Sequence, residues 1–559
     1  MTGDLGLIKD EGLRSICAKG TKFREVPYLD VAKIRDQIRA DIGNISKKWA
    51  TKNKVGNSSF KKWREEMFRV FSDGLGHYSK LGNYKRPVLS NRRSKCELER
   101  LRGEFVITVV DKAAGNFAFT CRKFYFLKLA EELGLNNVVP GNETYAYTGE
   151  SEQGICDRIC VDLAKFRITP NEKDKKLAVL YQTPKFHKNP PKMRYIAGNV
   201  GTVLSGLDQR VAKILKMCKS HFKNLCKKNR EFSGVRCFFD VETSLDVKGM
   251  FDNLHGKART ITINDFSTLY TLFDHNHLLT NISWLLGKLS KNKGMGFISV
   301  GYNKAWWSRV DDGKFDTYSL VEVMEMIEYL IRNSYIKSLG SIFRQDRGMI
   351  MGGKSSGWLS DGSLMVDEFR YVEVKSKAGQ VDEARRLENF CRYRDDCTVC
   401  NFSDFHNITS DIYPPSLSLT QENDDDRAAD VLDMSVSINR DGSFVTKVYC
   451  KTDAFPFGVI SLPFLDSNIN PRLCYLVFYG QVLRYQRLCS FRGDFEDRVR
   501  ILADELLNRG YNRRKLGHQF CRVIGKYMAE FQKWQVPINI SNWFNHILTS
   551  TPTLFLSFS

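Results

Sequence analysis

The chain has 559 residues and carries 85 lysines and arginines against 64 aspartates and glutamates, a net charge of +21. Such an excess suits a polyanion partner, whose phosphates would dominate affinity and make it salt-dependent. No apolar run approaches the roughly 18 residues of a membrane span, no signal-peptide pattern opens the chain, and the 15 cysteines lack framework spacing, which points to reduced intracellular thiols.

Residues 1 to about 100 read as basic and helical. Ile34, Ile38, Ile42 and Ile45 recur near helical spacing, as do Trp63, Met67 and Phe71. Lys47, Lys48, Lys52, Lys54, Lys61, Lys62 and Arg64 make this stretch a candidate nucleic-acid face, although basic helix surfaces are usually only solvated.

Two motifs follow. The first is Val109-Val110-Asp111-Lys112-Ala113-Ala114-Gly115-Asn116. The second runs from Leu180 to Ile196 and contains Pro184-Lys185-Phe186-His187-Lys188 and Arg194 around a Pro190-Pro191 turn. Two extended arms would bring Lys185, Lys188 and Arg194 together. Arginine grips phosphate oxygens bidentately and lysine acts as a point charge; the alternative is a solvated basic hairpin. A basic helical run comes next, with Lys213, Lys216, Lys219, Lys223, Lys227 and Lys228.

Thr262-Ile263-Asn264-Asp265-Phe266-Ser267-Thr268-Leu269-Tyr270-Thr271 begins as a β-prone run and then presents one acid. By itself Asp265 could be a helix N-cap. Arg347 to Asp361 is glycine-rich and opens a helical pattern through Leu364, Met365, Glu368 and Val372. Its glycines permit close backbone approach, either to cradle phosphate or to pack under a base pair.

Asn389 to Cys400 reads as a hairpin of two short strands with Asp395-Asp396 at the turn. Adjacent aspartates repel, and an all-oxygen site suits Mg²⁺. An isolated Asp-Asp pair is more often a solvated turn. Carboxylates on neighbouring strands, however, can bridge two ions about 3.5–4 Å apart. The order of acid strand, glycine turn with helix, and Asp-Asp hairpin favours that reading. Cys397 and Cys400 have zinc-like spacing but no second pair, so they read as strand cysteines; Asp424-Asp425-Asp426 reads as a solvated turn.

Together these motifs resemble the reverse transcriptases of Penelope-like retroelements, a family related to telomerase. The resemblance includes the Pro-Lys-x-His-Lys segment at Pro184 to Lys188, the family's Asp-Lys-x-x-Asn block, with one more residue before the asparagine, at Asp111 to Asn116, the Asp-Phe-Ser-Thr-Leu-Tyr-Thr form at Asp265 to Thr271, and Tyr393-Arg394-Asp395-Asp396. Tyr449-Cys450-Lys451-Thr452-Asp453 looks like a further, shortened family segment. Leu483 to Cys489 and Leu507 to Tyr511 are similar to its basic C-terminal region. The chain departs from the family at Ile350, where proline is common, and at Ser356-Gly357, where the family has Ser-Pro. Arg394 occupies the variable position of the catalytic loop, either reaching a phosphate or solvated.

The resemblance implies an α+β right-hand polymerase: a basic helical N-terminal region (1–100), fingers (101–260), a palm whose antiparallel sheet carries the carboxylates (261–460), and a helical thumb and tail (461–559). It implies an RNA-directed DNA polymerase with Asp265, Asp395 and Asp396 as catalytic and metal carboxylates and the Phe266 carbonyl as a further ligand. Two Mg²⁺ ions, with Mn²⁺ as a substitute, would be the cofactors. Lys185, Lys188 and Arg194 would hold the incoming dNTP, and Met351 and Gly352 would pack against it. Tyr270 would gate the sugar by clashing with a ribose 2′-hydroxyl. Lys216, Lys223, Arg484, Arg487, Arg513 and Arg514 would contact an RNA template, a DNA primer or their hybrid. The expected location is intracellular and nuclear. No GIY-YIG nuclease motif is legible, which implies a nuclease-lacking, trimmed or host-domesticated member. A domesticated or telomere-associated polymerase is the nearest alternative. A catalytically idle nucleic-acid-binding protein would need the acids unused. A viral RNA polymerase is disfavoured by Tyr270 and by Tyr-x-Asp-Asp in place of Gly-Asp-Asp.

Overall fold

A computed structural model describes residues 2–25, 31–53, 57–79, 88–136, 140–266, 269–311 and 313–550. Among them no helix is long and apolar enough to cross a membrane. The chain is a mixed α/β protein of helices and mainly antiparallel sheets.

The N-terminal third begins with helices. Val31–Asn53 and Asn57–Ser79 pack as an antiparallel pair. The helical periodicity holds there, yet Ile45, Trp63 and Phe71 stay exposed. Lys54 lies outside the described residues, as do the side chains of Lys48 and Lys52. Next come the β-branched strand β1 (Phe105–Val110) and β2 (Ala113–Cys121), an antiparallel ribbon turned at Asp111-Lys112.

Strands β3 (Tyr145–Thr148), β4 (Ala178–Lys185) and β5 (Lys192–Gly198) precede the 29-residue helix Ser205–Ser233. Glycine ends that helix at Gly234, in the left-handed conformation that a C-terminal cap requires. Strand β6 (Ile261–Phe266) follows, then a small sheet of β7 (Phe297–Val300), β8 (Ala305–Ser308) and β9 (Asp316–Ser319). Strands β10 (Tyr335–Ser338) and β11 (Ser341–Gln345) return to the earlier strands, giving a five-stranded sheet in the order β3-β11-β10-β4-β5.

The sheet that matters most for the site is four-stranded. Strands β12 (Phe390–Tyr393) and β13 (Asp396–Cys400) form a hairpin, β13 pairs with β6, and β6 pairs with β14 (Leu419–Gln421), all antiparallel. It is packed on both faces, which explains why β6 reads as nearly continuous burial. Phe266, Cys397 and Val399 join the core built around Phe222, Phe369 and the buried helix Ser356–Lys377. Ile261, Ile263 and Cys400 join a second core built around Phe478, Phe495 and Phe520. Each such fully buried aromatic contributes about 1.5–3 kcal/mol of transfer free energy. Cys397 and Cys400 are strand residues, and burial raises both thiols. A three-stranded sheet of β15 (Ala428–Val431), β16 (Met434–Ile438) and β17 (Phe444–Val448) leads into the helices from Pro471 to Thr549. Asp424, Asp425 and Asp426 are exposed in the loop before β15.

Candidate active site

Antiparallel register brings the acids together. Asp396 pairs directly with Asp265 across β13 and β6, at the strand ends. Tyr393 pairs with Asp396, so Arg394 and Asp395 form a two-residue turn. Arg394 has φ +59°, at a turn position that glycine commonly fills. The Phe266 amide donates to the Asp395 carbonyl at 3.3 Å, pinning the turn to the end of β6. Carboxylate oxygens of Asp265, Asp395 and Asp396 all lie within 4.8 Å of one another.

Electrostatics shows what this grouping favours. Burial, then Asp395, Glu422 and Asp396, push Asp265 up to about 7. Burial and Asp395 likewise raise Asp396. Clustered acids that resist ionisation want a cation, and their oxygen-only donor set fits a hard divalent ion. Glu422, just past β14, is an acid of this neighbourhood that no motif marks.

Across from the acids stand cations. Lys112 opposes the rise at Asp265, and Lys451 and Lys112 oppose it at Asp396. Thr183 pairs with Arg194 across β4 and β5, so Lys185 and Arg194 share a face of that ribbon as diagonal neighbours. Arg194 Nη1 is 3.3 Å from Asp111 Oδ1, and the Asp111 amide donates to the Pro184 carbonyl at 3.0 Å. Burial and then Arg194 lower Lys185; burial and then Lys451 lower Lys112. Lys188 is exposed. Lys112, Lys188, Lys447 and Lys451 border a cleft of about 920 Å³ whose lining also holds Glu422, Asp424, Asp425, Asp430 and Asp494. The β1–β2 turn and the segment after β17 thus add Lys112 and Lys451 to the three cations singled out in the sequence.

The glycine turn closes another side. Gly348 has φ +71°, and a Cβ there would lie 2.2 Å from the Tyr270 carbonyl, so only glycine fits. The Met349 amide donates to that same carbonyl at 2.6 Å. Gly352 has φ +126° and sits against the Ala197 carbonyl, while the Ala197 amide donates to the Met351 carbonyl at 3.0 Å. The turn therefore bridges the Tyr270 segment and β5. Ser267 and Thr268 lie outside the described residues. Buried Asp208 holds the turn's exit by accepting from the Lys354 amide at 2.7 Å, the Ser355 amide at 2.8 Å and the Ser355 hydroxyl at 2.5 Å. It satisfies amides that a helix start leaves without partners.

Behind the hairpin lies a buried ionic network. Arg392, fully buried, donates to Glu368 Oε1 at 2.5 Å and stands 3.5 Å from Asp361 and 3.6 Å from Asp240. Lys219 pairs with Asp240 and with Asp361, the latter at 3.0 Å, and Arg394 pairs with Asp361. The Tyr413 hydroxyl donates to Glu368 at 3.0 Å. Three carboxylates thus meet three cations, the balance that buried charge demands. Lys219 belongs to this network and not to a surface stripe, whereas Lys216 and Lys223 on the same helix are exposed.

Arg484, Arg487, Arg513 and Arg514 lie on the C-terminal helices. Arg484 pairs with Asp433, and Arg487 with Glu530 at 2.9 Å. Arg513 donates to Asn545 at 3.2 Å, and Arg514 is exposed.

No protein-family model matches the chain, and no curated protein matches its sequence. Among solved structures it is similar to the telomerase from Candida albicans, determined with the TWJ fragment of telomeric RNA. The TM-score is 0.51 at 12% identity, over 88% of this chain and 75% of that one. The apo telomerase from Candida tropicalis aligns over 97% of this chain and 90% of its own, with a TM-score of 0.41 at 10% identity. At these identities the first match speaks to the fold alone: the chain has a telomerase-like fold.

Proposed function

We propose that the chain is an RNA-directed DNA polymerase that extends a DNA primer's 3′-hydroxyl on an RNA template, the reverse transcriptase of a Penelope-like retroelement. The observation that carries this reading is the convergence of Asp265, Asp395 and Asp396 on adjoining strands. Lys112 from the β1–β2 turn and Lys451 from the segment after β17 act on them, and Arg194 and Lys185 neighbour Lys112.

In this reading the acid-bearing sheet is the palm, the β1–β5 region the fingers and the C-terminal helices the thumb. Asp265, Asp395 and Asp396, with the Phe266 carbonyl, would hold two Mg²⁺ ions. Bound there, the ions would supply Lewis-acid activation of the primer hydroxyl and charge neutralisation at the departing pyrophosphate. The chain's own groups handle the rest. Arg194 and Lys185, on one ribbon face, grip the triphosphate, with Lys188, Lys112 and Lys451 adding positive potential. Asp111 holds the Arg194 fork in place. Met351 and Gly352 bound the nucleotide from the turn that Ala197 anchors. The Tyr270 ring stands against the sugar and rejects a 2′-hydroxyl. Lys216, Lys223, Arg513 and Arg514 offer exposed charge to the template–primer backbone; Arg484 and Arg487 would do so only by sharing their carboxylate partners. Such a protein works in the nucleus.

A telomere-associated polymerase is the second reading, which the telomerase-like fold fits equally well. Extension of DNA primers on RNA with dNTPs tests the shared core. Efficient use of a free single-stranded chromosome-end sequence, but not of a nicked duplex, would favour the second reading over the first. Extension with rNTPs alone would replace both.

A further inference from the structure

The variable residue of the Tyr-x-Asp-Asp turn is not free to reach a ligand. Arg394 ion-pairs with Asp361, which is buried, and its Nη1 donates to the Gly357 carbonyl at 2.7 Å. Its guanidinium also lies over the Trp358 ring, 5.2 Å from the centroid. Its carbonyl accepts from Arg392 Nη1 at 3.2 Å. Side chain and backbone are both fixed, although the residue keeps a left-handed φ that L-residues disfavour.

Gly357 makes this possible. A Cβ at that position would lie 3.0 Å from Arg394 Nη1 and 3.7 Å from the Tyr270 hydroxyl. The guanidinium and the phenol therefore flank the same point, the one a side chain at 357 would occupy. The Tyr270 hydroxyl also lies near Ser360, one helical turn on from Gly357, and feels the charges of Asp395, Asp361 and Arg394.

We propose that Arg394 is a positioning residue for sugar selection: clamped between Asp361 and the Gly357 carbonyl, it backs the Tyr270 phenol and holds it where a 2′-hydroxyl would clash. This rests on the polymerase reading and on Tyr270 as the gate. Arginine suits the role because its planar fork engages a carboxylate and a carbonyl together while stacking on an indole. The Ser356-Gly357 sequence then has a physical reason: a side chain at 357 would make the guanidinium give way by a few tenths of an ångström.

The test compares kcat/KM for dNTPs and rNTPs on one RNA template and DNA primer. Arg394→Met lowers the dNTP preference about tenfold, the scale of one lost packing or polar contact. Arg394→Lys, which keeps a charge for Asp361 but not the fork, recovers part of it. Gly357→Ala lowers the preference in the same direction and adds nothing in the Arg394→Met background, because the clamp is already gone. Should Arg394→Met fail to melt cooperatively, Gly357→Ala alone carries the test, since alanine suits a helix. A wild-type preference in the folded single variants, or additive losses in the double variant, overturns the proposal while wild-type extension stands. A wild-type protein that extends no primer overturns the polymerase reading, and this inference with it.

Discussion

Asp265 and Asp396 face each other as a direct cross-strand pair on antiparallel strands, with Asp395 at the adjoining turn. Like charges opposite one another destabilise a sheet, so the fold holds this arrangement at a cost that a bound cation would relieve.

The first prediction concerns pH. With Asp265 raised to about 7, the folded, metal-free protein keeps a proton that the unfolded chain has already released. The stability contributed by that protonated group is present at low pH. It is lost as pH rises from an ordinary aspartate's ~4 toward 7. Metal-free melting temperature should therefore fall across that window, and the gain from added Mg²⁺ should be larger near pH ~8 than near pH ~5. Asp265→Asn should flatten the slope and shrink the Mg²⁺ gain. Identical melting profiles for both proteins would remove Asp265 from the site.

Tyr270 carries the second. Tyr270→Ala should retain dNTP extension and raise rNTP incorporation by about tenfold or more, the scale of a lost steric contact. Unchanged sugar selectivity in single-nucleotide kinetics would end the gate assignment.

Arg194 carries the third. Arg194→Ala removes a charge-assisted contact worth about 1.5–3 kcal/mol. The KM for dNTP should rise about tenfold or more, and Arg194→Lys should recover only part of it, since the fork is lost. Steady-state kinetics at wild-type values would place the triphosphate elsewhere.

The sequence showed the acid strand, the glycine turn and the hairpin because their signals are local: alternation, glycine spacing and an adjacent acid pair. The buried network behind them was not legible. Lys219 lies in a run of lysines and Glu368 in an ordinary helical pattern, and only tertiary packing buries them against Asp240 and Arg392. Arg484 and Arg487 looked free for the same reason, because their partners Asp433 and Glu530 lie dozens of residues away in the chain. Conversely, the periodic Ile45, Trp63 and Phe71 lie on helices as expected but remain exposed. Periodicity fixes a helix without saying what covers its apolar face. Lys112 and Lys451 come from segments far apart in sequence, and only folding brings both to the acids.

That network supplies the fourth prediction. Arg392→Leu would strand Glu368, Asp240 and Asp361 with too few cations in a dry interior. Removing one partner of a buried ion pair costs about 3–5 kcal/mol. Urea unfolding should show a loss of that size. A variant within about 0.5 kcal/mol of wild type, the range of ordinary surface substitutions, would mean that the network contributes little to stability.

The most direct measurement is primer extension on an RNA template with Mg²⁺, comparing dNTPs with rNTPs, for the wild-type protein and the Asp395→Asn, Asp396→Asn double variant. The account predicts dNTP-dependent extension by the wild type and none by the variant, with salt-sensitive binding to the template–primer retained in both. Equal extension by the two proteins, or binding without extension in either, would contradict it.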